Sequence, residues 1–231
     1  MKRYLRNHDA INTEEQNMLA RKRVLVVGCG GLGGMVIECL ARIGVGYLRI
    51  LDGDVFEESN LNRQLLSSSM NLNRPKTLAA QQRVMAVNSL VEVDAHQTYL
   101  TVENAFGLLA GCDAAVDCLD NIPSRLLLQD AAKTIGIPVV HGAVAGWLGR
   151  ICVIQPGEEL LGLLYPNTEE EQGEERQMGT LAFTVSLTAS WQAAETIKLL
   201  LGKPGLKGEI LEVDLLNATT NRFHIGKPRY S

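Results

Sequence analysis

The chain has 231 residues, of which 46% are hydrophobic and 21% charged, and its formal net charge is −4. That length suits one substantial core, so a single domain is the default. The mildly acidic balance argues against a general nucleic-acid or membrane-surface binder. No apolar run approaches a membrane span, and the charged start MKRYLRNHDAINTEEQ lacks the apolar core of a secretion signal. Five cysteines without a C-x-x-C pair read as reduced thiols in a cytoplasmic protein, and four scattered histidines offer no zinc spacing.

Residues 1–22 form a polar arm, helical around Glu14 to Arg21, with Arg3 and Arg6 as cations ahead of the first strand. Arg23 to Val27 is a short β-branched run, the pattern of a strand buried on both faces. Gly28, Gly30, Gly31, Gly33 and Gly34 follow at once, then apolar residues at helical spacing from Met35 to Ile43, then a second strand, Tyr47 to Leu51, ending at Asp52. Such a turn lets main-chain N–H groups approach a phosphate with no Cβ in the way, at the positive end of a helix. An acid closing the next strand can accept hydrogen bonds from a ribose. Nineteen positions separate Gly33 from Asp52, against the ~20 of a dinucleotide fingerprint. This arrangement indicates a nucleotide without saying which one.

The polar stretch GDVFEESNLNRQLL reads as loop, and Pro75 suits the first turn of a helix that carries Leu78, Ala79, Val84, Met85 and Val87. Val91 to Tyr99 alternates as a strand, Ala105 to Leu109 is a short helix, and Ala114 to Leu119 is a buried strand ending at Asp120-Asn121. A helix over Ser124 to Ile135 and a strand over Pro138 to Ala143 complete an alternating β/α core at 23–145. The predicted fold is therefore a Rossmann-like, mostly parallel sheet with helices on both faces. From Trp147 the pattern changes to antiparallel strands, Arg150 to Gln155 and a terminal hairpin of Glu209 to Leu215 with Asn221 to Ile225, around a long apolar helix over Thr180 to Leu201. Between them, Glu158 to Met178 holds seven acidic residues and reads as a solvated loop or lid.

Functional residues in such a sheet sit at the carboxyl ends of strands. Asp54, Arg63, Lys76, Asp120 and Arg125 form a charged set suited to a triphosphate: cations offset phosphate charge, and a strand-end Asp can hold Mg²⁺. There is no G-x-x-x-x-G-K-[ST] loop, and no obvious His or Tyr-Lys pairing for a nicotinamide enzyme.

The segments GCGGLGG at 28–34, ARIGVGYLRILDGDVFEESNLNRQ at 41–64, RPK at 74–76, DCLDNIPSR at 117–125 and SWQAAETIKLLLG at 190–202 resemble the MoeB/ThiF/HesA family, bacterial relatives of the ubiquitin-activating enzymes. The resemblance implies a single adenylation domain over 1–231, with a nucleotide-binding core at 23–145 and a carrier-binding and dimerisation part at 146–231. It implies ATP- and Mg²⁺-dependent adenylylation of the C-terminal glycine of a ubiquitin-like sulfur carrier ending in Gly-Gly, for molybdenum or tungsten cofactor, thiamine or a related sulfur route. Gly28 to Gly33 would lie under the phosphates and Asp52 would hold the ribose. Asn60, Arg63 and Lys76 would line the triphosphate, and Asp120 would be the Mg²⁺ ligand. Arg6 would reach the ATP of the partner subunit in a homodimer. Asp54 and Asn121 read either as nucleotide contacts or as structural caps.

Two departures qualify the resemblance. Many members carry two C-x-x-C pairs for a structural zinc, but the stretch before Tyr165-Pro166 is ELLGLLYP and the chain ends NRFHIGKPRYS, so no zinc is expected. Many also carry a loop cysteine for a thioester or persulfide step. The loop here has none, which argues for adenylation alone, with Cys118 and Cys152 packed rather than nucleophilic. Adenylylation of a peptide or small-molecule carboxylate, and a non-catalytic nucleotide-binding scaffold, are the alternative readings.

Overall fold

The computed structural model describes residues 2–166 and 178–224. Its centre is an eight-stranded sheet, β1 (Arg23–Val27), β2 (Tyr47–Leu51), β3 (Glu92–His96), β4 (Ala114–Asp117), β5 (Val139–Ala145), β6 (Leu148–Ile154), β7 (Glu209–Asp214) and β8 (Thr219–His224), in the spatial order 3-2-1-4-5-6-7-8. The pairs β2–β3, β1–β2, β1–β4 and β4–β5 are parallel, whereas β5–β6, β6–β7 and β7–β8 are antiparallel. The chain leaves β1 towards β2 on one side and returns to β4 on the other. The strand order thus reverses between β1 and β4, where a doubly wound sheet opens a crevice at its carboxyl edge.

Helices α1 (Thr13–Leu19), α2 (Gly31–Ile43), α3 (Lys76–Val87), α4 (Val102–Leu109), α5 (Ile122–Ile135), α6 (Leu160–Leu164) and α7 (Ala182–Leu200) cover the sheet. The burial of β1 shows why helices lie on both faces. Val24 and Val26 belong to a core shared with α2, α3 and α7, while Leu25 and Val27 belong to a second core with α4, α5 and α6. Period-2 alternation sends neighbouring side chains to opposite faces, so an uninterrupted apolar run needs a lid on each. Local signals fix the helix ends. The Asn12 and Asn121 side chains cap α1 and α5, and Gly44 (φ 90°) and Gly136 (φ 82°) close α2 and α5 in the left-handed region.

The helix expected over Thr180 to Leu201 is present as α7, but its sheet-facing side is not purely apolar. Thr184, Thr188, Gln192 and Thr196 are buried at four-residue spacing. The Thr188 and Thr196 hydroxyls donate to the carbonyls one turn back, and Gln192 Nε2 donates to the Asp117 (2.8 Å) and Val140 (3.3 Å) carbonyls. A Cβ on Gly142 or Gly149 would fall 2.3 Å and 2.1 Å from Gln192 and Thr188. Bare backbone on β5 and β6 therefore lets this polar helix sit close to the sheet.

The expected loop from Glu158 is broken by α6, whose Leu160 and Leu161 are buried. The remainder of the acidic segment, 167–177, lies outside the described residues, as does Ile225 at the expected end of the hairpin. Cys29, Cys112 and Cys152 are buried, and the described chain holds five free thiols. Among the described residues no helix is long and apolar enough to cross a membrane.

Candidate active site

The crevice between β1 and β4 opens into a cavity of about 200 Å³. One wall is the glycine turn. Gly28 takes φ 96°, and a Cβ there would lie 2.6 Å from the Cys118 carbonyl oxygen, so both the turn and the closeness of β4 demand glycine. Gly33 does not line the cavity. It packs behind it, where an added Cβ would sit 1.8 Å from the Gly28 oxygen. Gly30 caps α2 without a side chain, leaving the first amides of that helix directed at the cavity.

Asp52, at the end of β2, is fixed by two main-chain donors, Cys29 N–H to Oδ2 (2.7 Å) and Asp54 N–H to Oδ1 (2.8 Å). Burial raises its carboxyl above the ordinary range, and nearby Lys76 and these two amides only partly offset that. Lys76 opens α3 and is 6% exposed, and its Nζ donates to Asp54 Oδ2 at 2.8 Å. Tyr99 O–H donates to Asp54 Oδ1 at 2.6 Å. Burial opposes ionisation of Asp54, but the hydrogen bonds from Lys76 and Tyr99 outweigh it and hold the carboxyl below its usual value. Across the cavity stand Arg63, whose Nη1 donates to Ser59 O and Asn62 Oδ1 (both 2.9 Å), and the exposed Asp120.

Gly28, Gly30, Gly31, Asp52, Asp54, Arg63, Lys76, Asp120, Asn121 and Arg125 all line this one cavity. Asn60 does not line it: its buried side chain accepts from Glu57 N–H at 3.0 Å and closes a short turn. Asn121 lines the cavity with its Oδ1 engaged by Ser124 N–H at 2.9 Å. Arg125 is buried, and its guanidinium grips the Leu119 carbonyl from Nε (3.1 Å) and Nη2 (2.8 Å) and the Tyr165 hydroxyl from Nη1 (2.9 Å). Arg6 lies at the other end of the sheet, in the 3₁₀ turn Lys2–Asn7, where the neighbouring Tyr4 packs on Gly44 and accepts from Asn88.

Several further residues shape the site. Asp117 and His141 are fully buried, with Oδ2 and Nδ1 2.7 Å apart, and His141 Nε2 lies 3.1 Å from the Tyr165 hydroxyl. Together with Arg125 they tie β4, β5 and the end of α6 beneath the Leu119–Asn121 loop. Gln64 and Tyr99 also line the cavity. Gln64 directly follows Arg63 and could have been suspected from that position, but His141 and Tyr165 carry no such local signal. Burial pushes the Cys29 and Cys118 thiols well up and Cys152 to about 12, so all three are held protonated rather than as nucleophilic thiolates.

A glycine turn at the switch point of a doubly wound sheet, with a ribose-type acid and phosphate-type cations around it, defines a nucleotide-binding protein of the Rossmann-like class. Residues 3–231 match the ThiF family, and the chain belongs to that family. It is 36% identical over 225 residues to the sulfur carrier protein adenylyltransferase of Thermus thermophilus, an alignment covering 93% of this chain and 83% of that protein. It is also 36% identical over 217 residues to the SAMP-activating enzyme E1 of Haloferax volcanii, covering 91% of this chain and 79% of that one. The crystal structure of Escherichia coli MccB with succinimide superposes with a TM-score of 0.81 at 20% identity, over 99% of this chain and 73% of that one, and shares the fold.

Proposed function

We propose that the protein uses ATP to adenylylate the C-terminal glycine carboxylate of a ubiquitin-like sulfur carrier protein ending in Gly-Gly. The observation that carries this reading is the convergence of the glycine turn, Asp52, Arg63, Lys76 and Asp120 on one cavity in a chain of the ThiF family. In the reaction a carboxylate oxygen forms a bond to the α-phosphorus, and the bond from that phosphorus to the bridging oxygen breaks. The electron pair leaves with pyrophosphate. An ionised carboxylate needs no general base, so the protein's work is alignment and charge neutralisation. Lys76 and Arg63 would offset the charge that grows on the leaving oxygens, and the α2 amides would receive phosphate oxygens. Part of that capacity is preset, because Asp54 holds the Lys76 ammonium inside the cavity before any nucleotide arrives.

Asp120 suits Mg²⁺: it is an exposed hard-oxygen donor on the cavity rim, and this ion is commonly held by one or two carboxylates plus substrate phosphates. When bound it would neutralise phosphate charge. The reading includes a zinc-free protein, supported by the leucines of ELLGLLYP, and adenylation without a thioester or persulfide step, supported by the protonated, buried thiols. It also takes 1–231 as one adenylation domain acting in the cytoplasm, its 146–231 part serving carrier binding and dimerisation. Arg6 then completes the site of a partner subunit, since it lies at the far end of its own sheet.

Pyrophosphate exchange tests the proposal. With a carrier bearing a free C-terminal glycine carboxylate, exchange into ATP should appear, and Lys76→Ala should lower it about 10²–10³-fold, as loss of a transition-state charge contact does. Mixing Arg6→Ala with Lys76→Ala protein should restore exchange, because a mixed dimer regains one intact site. No carrier-dependent exchange by the wild type would overturn the reading.

A further inference from the structure

Tyr99 follows β3 on the loop leading to α4, and its ring is fixed in an unusual way for an exposed aromatic. It lies directly on the main chain of Gly53: a Cβ there would sit 2.6–2.7 Å from Cζ, Cε1 and Cε2 of the ring. Gly53 is not among the glycines with positive φ, so a side chain here would have to displace the ring and would not strain the backbone. The same end of the ring carries the hydroxyl, which donates to Asp54 Oδ1 at 2.6 Å, and Asp54 in turn holds Lys76. The ring is thus held at its hydroxyl end, yet Tyr99 remains 64% exposed and lines the nucleotide cavity beside Leu100.

Its place along the cavity gives this wall a meaning. The glycine turn and the start of α2 mark the phosphate end, and Asp52, oriented by the Cys29 and Asp54 amides, marks the ribose. A base is bonded to that ribose and must extend past Asp52, on the side away from the glycine turn. Gly53 and the segment Thr98 to Leu100 line the cavity next to Asp52. Aromatic faces bind bases by stacking, and a ring already immobilised loses little freedom when it does so.

We infer that Tyr99 is the wall on which the nucleobase of ATP stacks, with Gly53 and Asp54 holding the ring in place for it. This deepens the adenylation reading and rests on it. The ring face is the binding element, and the hydroxyl acts as its tether.

Titration calorimetry in magnesium-containing buffer, with ATP and with inorganic tripolyphosphate as separate probes, tests the assignment. Tripolyphosphate has neither base nor ribose, so it reports the phosphate end alone. Tyr99→Leu should weaken ATP about tenfold, the scale of one lost base–aromatic stack, and leave tripolyphosphate unchanged. Tyr99→Phe, which keeps the ring, should lose much less ATP affinity than Tyr99→Leu. Three results would overturn the inference: ATP affinity unchanged in Tyr99→Leu, ATP and tripolyphosphate weakened alike, or Tyr99→Phe as damaging as Tyr99→Leu. The second would make Tyr99 only a brace for Asp54 and Lys76. In each of these the wild type still binds ATP, so the nucleotide reading survives, whereas a wild type that does not bind ATP removes both.

Discussion

The two halves of the sheet are built from similar short strands but use them differently. In β3-β2-β1-β4-β5 every strand is parallel to its neighbours, so the carboxyl ends point one way, and Gly28, Asp52, Cys118 and Val144 reach a common cavity. In β6-β7-β8 the direction alternates and strand ends are shared between both edges. Burial follows the same division. Four of the five residues of β1 are buried, while every residue of β8 is exposed. Parallel strands must be joined by crossovers that cover the sheet, whereas a hairpin can end it with one layer open to water. The cavity therefore lies where connections are long and packing is tight. No residue of β6, β7 or β8 lines that cavity.

Three substitutions break or sharpen that contrast, in decreasing order of effect. Gly33→Ala places a methyl 1.8 Å from the Gly28 oxygen, inside the crowded turn of the parallel half. It should cost ~3 kcal/mol, at the upper end for overpacking, which a thermal melt would record as roughly 6–12 °C for a chain of this size. A melting point within experimental error of the wild type would mean that the turn is much looser than the contact implies.

Asp54→Asn probes the charge linkage of the same half. The Asp54 carboxyl is held below its unfolded value, so its contribution to stability is present above the unfolded pKa and is lost as pH falls through the folded one. Removing it should flatten the acid side of the stability curve below about pH 4. Urea unfolding from pH 3 to 7 would show this, and identical curves for the variant and the wild type would contradict it. At the opposite extreme, Arg222→Ala on β8 removes a side chain that is 64% exposed and 3.6 Å from Glu209. It should change stability by no more than ~0.5 kcal/mol. A larger loss in a denaturant titration would show that the open edge carries more of the fold than its exposure suggests.

Much of this architecture could be read directly along the chain, because its signals are local. The β-branched run at Val24 to Val27, the glycines after it, Asp52 at nineteen positions from Gly33, and the caps at Asn121 and Gly136 each depend on residues a few positions apart. Most of the cavity was legible in the same way, since Arg63, Lys76 and Asp120 sit beside recognisable turns and strand ends. Less was legible where a polar side chain is taken up by the fold itself. Asn60 carries the polarity of a ligand but is spent closing a turn on Glu57. Arg125 looks like a phosphate cation, yet it is buried with its guanidinium on the Leu119 carbonyl.

By itself, the sequence determined that a parallel α/β sheet would carry a glycine-rich turn at its first crossover, because periodicity, glycine freedom and capping act within one or two turns of chain. Only the tertiary structure decided which polar groups meet. His141 reaches Asp117 across twenty-four positions, Tyr165 reaches Arg125 across forty, and Gln192 reaches the Asp117 carbonyl across seventy-five. Each pairing depends on strand order and helix placement, which satisfy buried polar groups from whatever segment packing brings near. No local pattern encodes that choice.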